Sequence, residues 1–348
     1  MDNIKININT KTLKKDTLRF LKDNVILLLL VLLVIYTGIT KENFFTWANF
    51  SNIASNVTPR FIIALGVSAC LITKGTDLSA GRAVGLAGVL ACTLLQRVDY
   101  SDKYLEKIFP GFHLPDFNIY LVLIIVAVIL GIFGLMNGII ISMFKVPPFL
   151  ATLGMQTVIY GACSVYSGAQ PIGGLKSEYT GVASTPIFTV GNFQFKFLFL
   201  FAIVAGIIFW FLYNKMRYGK YMYAIGGNEN AAEVSGVNVN KMKILIYTVA
   251  GIMYGIGGFL LASKSGGASV NLGQGYELEA IAACTIGGVS SNGGVGKVSG
   301  ILLGVLVFEL LKTSMQYHGI NPFYQQIVQG IVIIVAVAFD IRKYIKKS

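Results

Sequence analysis

The sequence predicts an all-α polytopic membrane protein, and three observations carry that expectation. Of its 348 residues, 55% are hydrophobic and only 13% are charged, whereas a soluble domain carries about a quarter charged residues. The mean hydropathy is +0.69. Apolar runs recur along the chain at lengths near the roughly 20 residues needed to cross a bilayer. Together these exclude an ordinary soluble enzyme, a disordered chain and a secreted disulfide scaffold.

In chain order, about ten transmembrane helices are expected, over 25–39, 53–73, 83–95, 119–144, 149–166, 197–213, 244–262, 276–289, 298–315 and 323–339. The first follows a basic stretch, like a signal peptide. No small-x-small cleavage site comes after it, so it reads as a retained span. The third and eighth are short and Gly-rich, as broken or re-entrant spans are. Ten spans put both termini on one side. With the termini cytoplasmic, 19 of the 28 Lys and Arg residues fall on the inner side, the excess that orients membrane proteins. The chain then divides into a cytoplasmic segment 1–24, one transmembrane domain over 25–341 with a cytoplasmic loop 214–243, and a basic tail 342–348.

An inverted repeat is also expected, spans two to five against spans seven to ten. Gly75-Thr76-Asp77-Leu78-Ser79-Ala80 is echoed by Gly275-Tyr276-Glu277-Leu278-Glu279-Ala280, and Val146-Pro147-Pro148-Phe149 by Ile320-Asn321-Pro322-Phe323. The offset of five spans gives the copies opposite orientations, a recurrent transporter plan.

The net charge of +12 does not indicate nucleic-acid binding, because the basic residues sit in short loops between apolar runs. Cys70, Cys92, Cys163 and Cys284 lie inside apolar runs without CxxC spacing, so they read as small hydrophobes. His113 and His318 fall in expected outer loops without ligand spacing, and no metal site is expected. Gly293-Gly294-Val295-Gly296-Lys297 looks like a phosphate loop. However, Ser291 stands where the first glycine belongs and Val298 where a hydroxyl is needed. Gly296, Gly300 and Gly304 instead form a helix-packing stripe. No extramembrane segment is long enough for an ATPase or ligand-binding domain, which takes about 50–200 residues. Any such function is expected on a separate chain.

Three groups of residues are candidates for function. Asp77, Ser79 and Arg82 join spans two and three beside an apolar run, where a charge is costly unless paired or hydrated. They read as a gate, or as a polar loop whose Gly81 and Gly85 pack closely. Glu277 and Glu279 begin the short eighth span; they favour the helix dipole there or line a polar path together with Gln156. Outside these groups, Glu309 and Lys312 can pair at i, i+3 and neutralise each other, a structural role rather than one in transport. In the loop 214–243, Asn228 caps a two-turn helix over 229–235 that stops at Gly236. It is expected to present Ala231 and Ala232 between basic flanks as a knob for a cytoplasmic partner, or merely to connect two spans.

The segments KGTDLSAGR (74–82), NGIIISMFKVPPFLATLG (137–154), YGKYMYAIGGNENAAEVSGVNV (218–239) and GYELEAIAACTIGGVSSNGGVGKVSG (275–300) resemble the ribose/galactose-type sugar permeases of ABC importers. The similarity runs from about residue 20 to 342, and the form with Thr76 and Arg82 looks most like the galactose/methyl-galactoside branch. The resemblance implies a permease without its own nucleotide site, moving a monosaccharide (galactose, methyl-galactoside or glucose; ribose or another pentose as the alternative). It implies a homodimer in the cytoplasmic membrane, among membrane lipid. Its partners would be an extracytoplasmic sugar-binding protein and an ABC ATPase, its two domains often fused in one polypeptide, that uses ATP and Mg. The ATPase-coupling residues would be Asn228, Glu229, Ala231, Ala232, Ser235 and Gly236; the pathway or gate would hold Asp77, Ser79, Arg82, Gln156, Glu277 and Glu279. An ion-coupled symporter is the rival of another class, with Glu309 as its one fair coupling group. The loops 97–118 and 168–196 depart most from the family pattern.

Overall fold

The computed structural model describes residues 25–109, 111 and 113–345. The basic segment 1–24 and residues 346–348 lie outside the described residues. Each of the ten expected segments is occupied by a helix: α1 (Val25–Thr40), α2 (Trp47–Ile72), α3 (Ala80–Leu94), α5 (Ile119–Ser142), α6 (Pro148–Ser167), α8 (Leu198–Asn214), α11 (Val239–Ser265), α12 (Tyr276–Ile286), α13 (Val298–Tyr317) and α14 (Pro322–Ile345). Between them lie α4 (Tyr104–Ile108), α7 (Ser177–Ser184), α9 (Arg217–Gly227) and α10 (Glu229–Val234). Among the described residues, five helices are long and apolar enough to cross a membrane alone: α2, α5, α6, α11 and α13. The bent pair of α8 and α9, at 65°, makes up to six.

Two expectations need correction. The chain is not wholly α-helical, because β1 (Pro186–Val190) and β2 (Phe193–Lys196) form an antiparallel hairpin, with Phe188 stacked on Phe195 at 4.8 Å. The segment 214–243 is not simply a loop: it holds α9 and α10, and α11 starts inside it at Val239. At the far end, α14 runs on to Ile345, past the expected boundary at 341.

The helices begin earlier than the apolar runs because polar first turns are capped. Thr46 Oγ1 accepts from Asn49 N at 3.3 Å to start α2, and Asn238 Oδ1 accepts from Lys241 N at 2.9 Å to start α11, each satisfying an N–H that the helix leaves open. The most apolar helix is not the most buried. The spanning part of α5 has mean hydropathy 3.0 and is 28% buried, whereas that of α2 has 1.5 and is 94% buried. Lipid tails are as apolar as leucine, so membrane helices associate through close packing and polar contacts. The central helix is accordingly α11, which packs most extensively against α5 and also against α2 and α3. Cys70, Cys92, Cys163 and Cys284 are all buried free thiols.

Small residues set the closest crossings. A Cβ on Gly134 of α5 would lie 2.2 Å from the Tyr247 carbonyl oxygen of α11, and one on Gly304 of α13 would lie 1.9 Å from that of Ala283 in α12. Gly300 meets the Gly287 carbonyl in the same way, so the glycine stripe on α13 is a helix-packing face. Gly304→Leu should therefore force α12 and α13 apart. Overpacking of this kind costs about 1–3 kcal/mol or more, and the yield of monodisperse protein after detergent extraction is expected to fall about tenfold. Leu303→Ala, one residue away on a side chain that is 60% exposed, is the control and should leave that yield unchanged.

Candidate functional site

The two short helices meet halfway along the bundle. Residues 73–79 turn back from the C-terminal end of α2 and deliver Asp77 to Tyr254, whose hydroxyl donates to Asp77 Oδ2 at 3.2 Å. Tyr254 lies midway along α11, a helix of 27 residues and about 40 Å. From there α3 runs to the end of the bundle where residues 96–97 and 172–176 meet. Residues 266–275 turn in from that same end, and α12 starts beside the middle of α2, where Arg60 donates to the Tyr276 hydroxyl at 3.2 Å. The starts of α3 and α12 abut: a Cβ on Gly81 would meet Glu277 Oε2 at 1.9 Å and the Gly273 carbonyl at 2.6 Å.

The gate candidates separate into two groups around this junction. Asp77 and Ser79 are enclosed, at 1% and 2% exposure. Asp77 Oδ1 accepts from Ser79 N at 3.0 Å and Ser79 Oγ at 2.6 Å. Ser79 Oγ in turn accepts from Asn137 of α5 at 3.0 Å, and Thr152 of α6 donates to the Thr76 carbonyl at 3.2 Å. This network holds the turn between four helices. Arg82 is half-buried instead, and donates to the Val270 carbonyl at 3.2 Å and to Asn271 Oδ1 at 3.1 Å. Its guanidinium lies 4.4 Å from the ring centre of Tyr160, one turn beyond Gln156 on α6. Glu277 is 9% exposed, and its Oε2 has no hydrogen-bond partner among the described residues. The structure thus brings Arg82 and Glu277 to the junction, with Gln156 on the neighbouring α6, and turns Glu279 to Arg60 of α2 instead.

The sequence pairs Glu309 with Lys312; the structure corrects this and pairs it with Arg60. Arg60 lies mid-helix in α2, where its Nε is ion-paired with Glu279 at 2.7 Å and its Nη1 donates to Glu309 Oε2 at 2.8 Å. Glu309 is 1% exposed and also accepts from Asn56 at 2.5 Å; Lys264 donates to Asn56. A charge in an apolar bundle persists when paired; Glu309 faces α2 across the bundle, and Thr313, one turn on along α13, also donates to its Oε1 at 3.4 Å.

At the other end of the bundle, Asn228 Oδ1 accepts from Ala231 N at 3.0 Å and caps α10. Gly236 closes it at φ 87°, with Val237 N bonding the Ala232 carbonyl at 3.1 Å, a glycine stop of the usual left-handed kind. Glu229 binds Lys243 of α11 through both oxygens, at 2.7 and 2.8 Å, and Ser235 Oγ donates to the Ala231 carbonyl at 2.7 Å. The expected knob is altered in one respect. Ala232 is buried, at 5% exposure, and Val234 is the apolar residue that projects, at 90%. The glycine-rich loop before α13 packs beneath this element: Gly294 N bonds the Ile72 carbonyl at 2.8 Å, and Tyr223 of α9 donates to the Gly296 carbonyl at 2.8 Å.

Residues 49–337 match the family described as "Branched-chain amino acid transport system / permease component". The galactose/methyl galactoside import permease protein MglC of Escherichia coli K12 is 44% identical over 338 residues, covering 96% of this chain and 98% of that protein. Its namesake in Haemophilus influenzae is 43% identical over the same shares. The ribose import permease protein RbsC of Bacillus subtilis is 34% identical over 320 residues, 90% of this chain and 91% of that protein. No solved structure matches. A match of this extent, over a bundle of apolar helices with two half-length helices meeting at its middle, makes the chain a member of the branched-chain amino acid transport system / permease component family.

Proposed function

We propose that the chain is the membrane permease subunit of an ATP-driven importer of galactose or methyl galactoside. The observation that carries this reading is identity of 44% across 96% of the chain to a protein named for that activity, against 34% for a ribose permease. The subunit works as a homodimer with ten spans per protomer and both termini cytoplasmic, the orientation favoured by the basic residues around α9 and α10. The order long, short, long, long in α2, α3, α5 and α6 recurs in α11, α12, α13 and α14, which supports two inverted copies.

In this reading a sugar-binding protein delivers the substrate at the end formed by the hairpin, α4 and α7. A separate ABC ATPase, using ATP and Mg, engages α10 through the exposed side of 228–236. Arg82, Gln156, Glu277 and Glu279 flank the path at mid-depth, and Asp77 and Ser79 anchor the turn that carries Arg82. Both Glu309 oxygens are engaged, which favours a fixed structural charge over a titrating coupling group.

The test is uptake of labelled galactose into proteoliposomes, by the permease alone and with its ATPase and sugar-binding protein. Uptake is expected only in the full assembly with ATP, with galactose outcompeting ribose. Uptake by the permease alone under an ion gradient would overturn the reading.

A further inference from the structure

The face of the bundle between α12, α13 and α14 carries a cleft of about 600 Å³, within the usual 300–1,000 Å³ of small-molecule sites. It extends from Gln316 and Pro322, at the end of the bundle opposite α10, inward to Tyr276, Glu279 and Phe308 at mid-depth. Its upper wall is a concentration of uncharged polar side chains: Asn271, Gln274, Gln316, Gln325, Gln326 and Gln329.

Gln325, Gln326 and Gln329 stand on α14: Gln326 and Gln329 share a face at i, i+3, and Gln325 is buried beside them and donates to the Ile320 carbonyl at 2.7 Å. Among the described residues, the side chains of Gln274, Gln316, Gln326 and Gln329 make no hydrogen bond. A polar side chain on a membrane helix faces water or a partner, because hydrocarbon offers it neither. A carboxamide carries two donors and an acceptor with two lone pairs and no charge, and a sugar hydroxyl both donates and accepts. An array of free carboxamides therefore matches an uncharged polyhydroxylated ligand.

The floor of the cleft agrees. The half-buried Tyr276 ring offers apolar surface to the C–H face of a pyranose ring, backed by buried Phe308. Tyr276 and Glu279 are both fixed by Arg60, which lies 5.1 Å from the tyrosine ring centre and 2.7 Å from the carboxylate. Lys312 adds a donor opposite Glu279, so the cleft holds both signs of charge and does not select an anion. Asn271 joins the cleft to Arg82, at the junction of the two half-length helices.

We propose that this cleft is a transit site for an uncharged monosaccharide, with Gln326 and Gln329 of α14 and Gln316 of α13 as its hydroxyl-binding side chains. The proposal rests on the importer reading above for its substrate class. Saturation-transfer NMR of galactose with the full-length permease in detergent reads the site directly, and suits a weak one. The transfer signal is expected with the native chain and with Leu303→Ala, and is expected to fall at least about fivefold with Gln326→Leu/Gln329→Leu. Gln316→Leu, on the neighbouring helix, reads the same site should the double variant aggregate.

In proteoliposomes with the full assembly, the double variant should lower galactose uptake about tenfold while receptor-stimulated ATP hydrolysis stays within about twofold of the native rate. No signal with the native chain, or an undiminished signal with both variants, would overturn the transit site. So would uptake and hydrolysis falling in step, since that marks a structural role. Binding in the cleft without ATP-driven uptake by the native assembly would support the site and overturn the importer reading alone.

Discussion

Ala231→Trp/Val234→Lys is expected to abolish stimulation of the partner ATPase by sugar-loaded binding protein, while the protein still inserts and extracts as a monodisperse species. The physical basis is that α10 is held from below and free above. Its anchors are the Asn228 cap, the Glu229 bond to Lys243, and buried Ala232. Neither substituted residue takes part through its side chain. Val234 projects at 90% exposure and is the apolar contact that α10 offers a partner; a charge left unpaired in such an interface costs about 2 kcal/mol or more. Replacing it with a charge and adding an indole beside it removes the contact and obstructs its socket. Hydrolysis and uptake should both fall by more than about tenfold, since each 1.4 kcal/mol is a factor of ten. Ala232→Trp would test something else, because overpacking a buried position disturbs α10 itself. Native hydrolysis and uptake in Ala231→Trp/Val234→Lys would remove the docking assignment.

Arg60→Ala is expected to be the most destabilising charge removal in the bundle. The guanidinium is the shared partner of Glu279 and Glu309, whose side chains are 14% and 1% exposed. Without it two carboxylates remain desolvated side by side, and breaking a buried pair by removing one partner costs about 3–5 kcal/mol. Because Arg60 joins α2 to both α12 and α13, the loss should appear as a lowered unfolding temperature in detergent and as lost uptake together. The triple replacement Arg60→Met/Glu279→Leu/Glu309→Leu should recover much of the thermal stability, because an apolar set of similar volume is often neutral where a half-broken ion pair is not. It should not recover uptake, since Glu279 lies in the mid-depth cleft. A native unfolding temperature for Arg60→Ala would show that the ion pairs contribute nothing. Glu309→Gln, which keeps the hydrogen-bonding shape, should leave uptake dependent on the ATPase and insensitive to an imposed proton gradient.

Much of the fold was legible in the chain itself. Every expected apolar segment carries a helix, and the two segments read as short are the 15 residues of α3 and the 11 of α12. Helix ends were read too late at α2 and α11 because their first turns are polar and capped, which a search for apolar runs passes over. The hairpin was missed although Gly191 and Asn192 form a two-residue turn signal between alternating apolar strands; it lies inside a long loop and covers few residues. The cap and glycine stop of α10 were readable because they are local, made by side chains within a few residues of the groups they satisfy.

The contacts that make the site were not readable in that way. Arg60 and Glu309 are 249 positions apart, and nothing in either neighbourhood names the other. Ala231 and Ala232 are identical in type and adjacent, yet one is exposed and the other buried, which depends on where α11 passes. Gln325, Gln326 and Gln329 are visible as a polar interruption of the last apolar segment, but which face of α14 meets α13 is set by packing.

Composition, hydrophobic runs and local caps determined that this is a multi-span membrane protein with two half-length helices and a short capped helix in its basic connection, because those signals act within a turn or two of the backbone. Only the tertiary structure decided that the half-helices meet at mid-depth, that Arg60 unites two distant carboxylates, and that free carboxamides line one cleft. Helices in a bilayer associate by close approach and polar pairing between residues far apart in sequence, and that pairing exists only once the helices have packed.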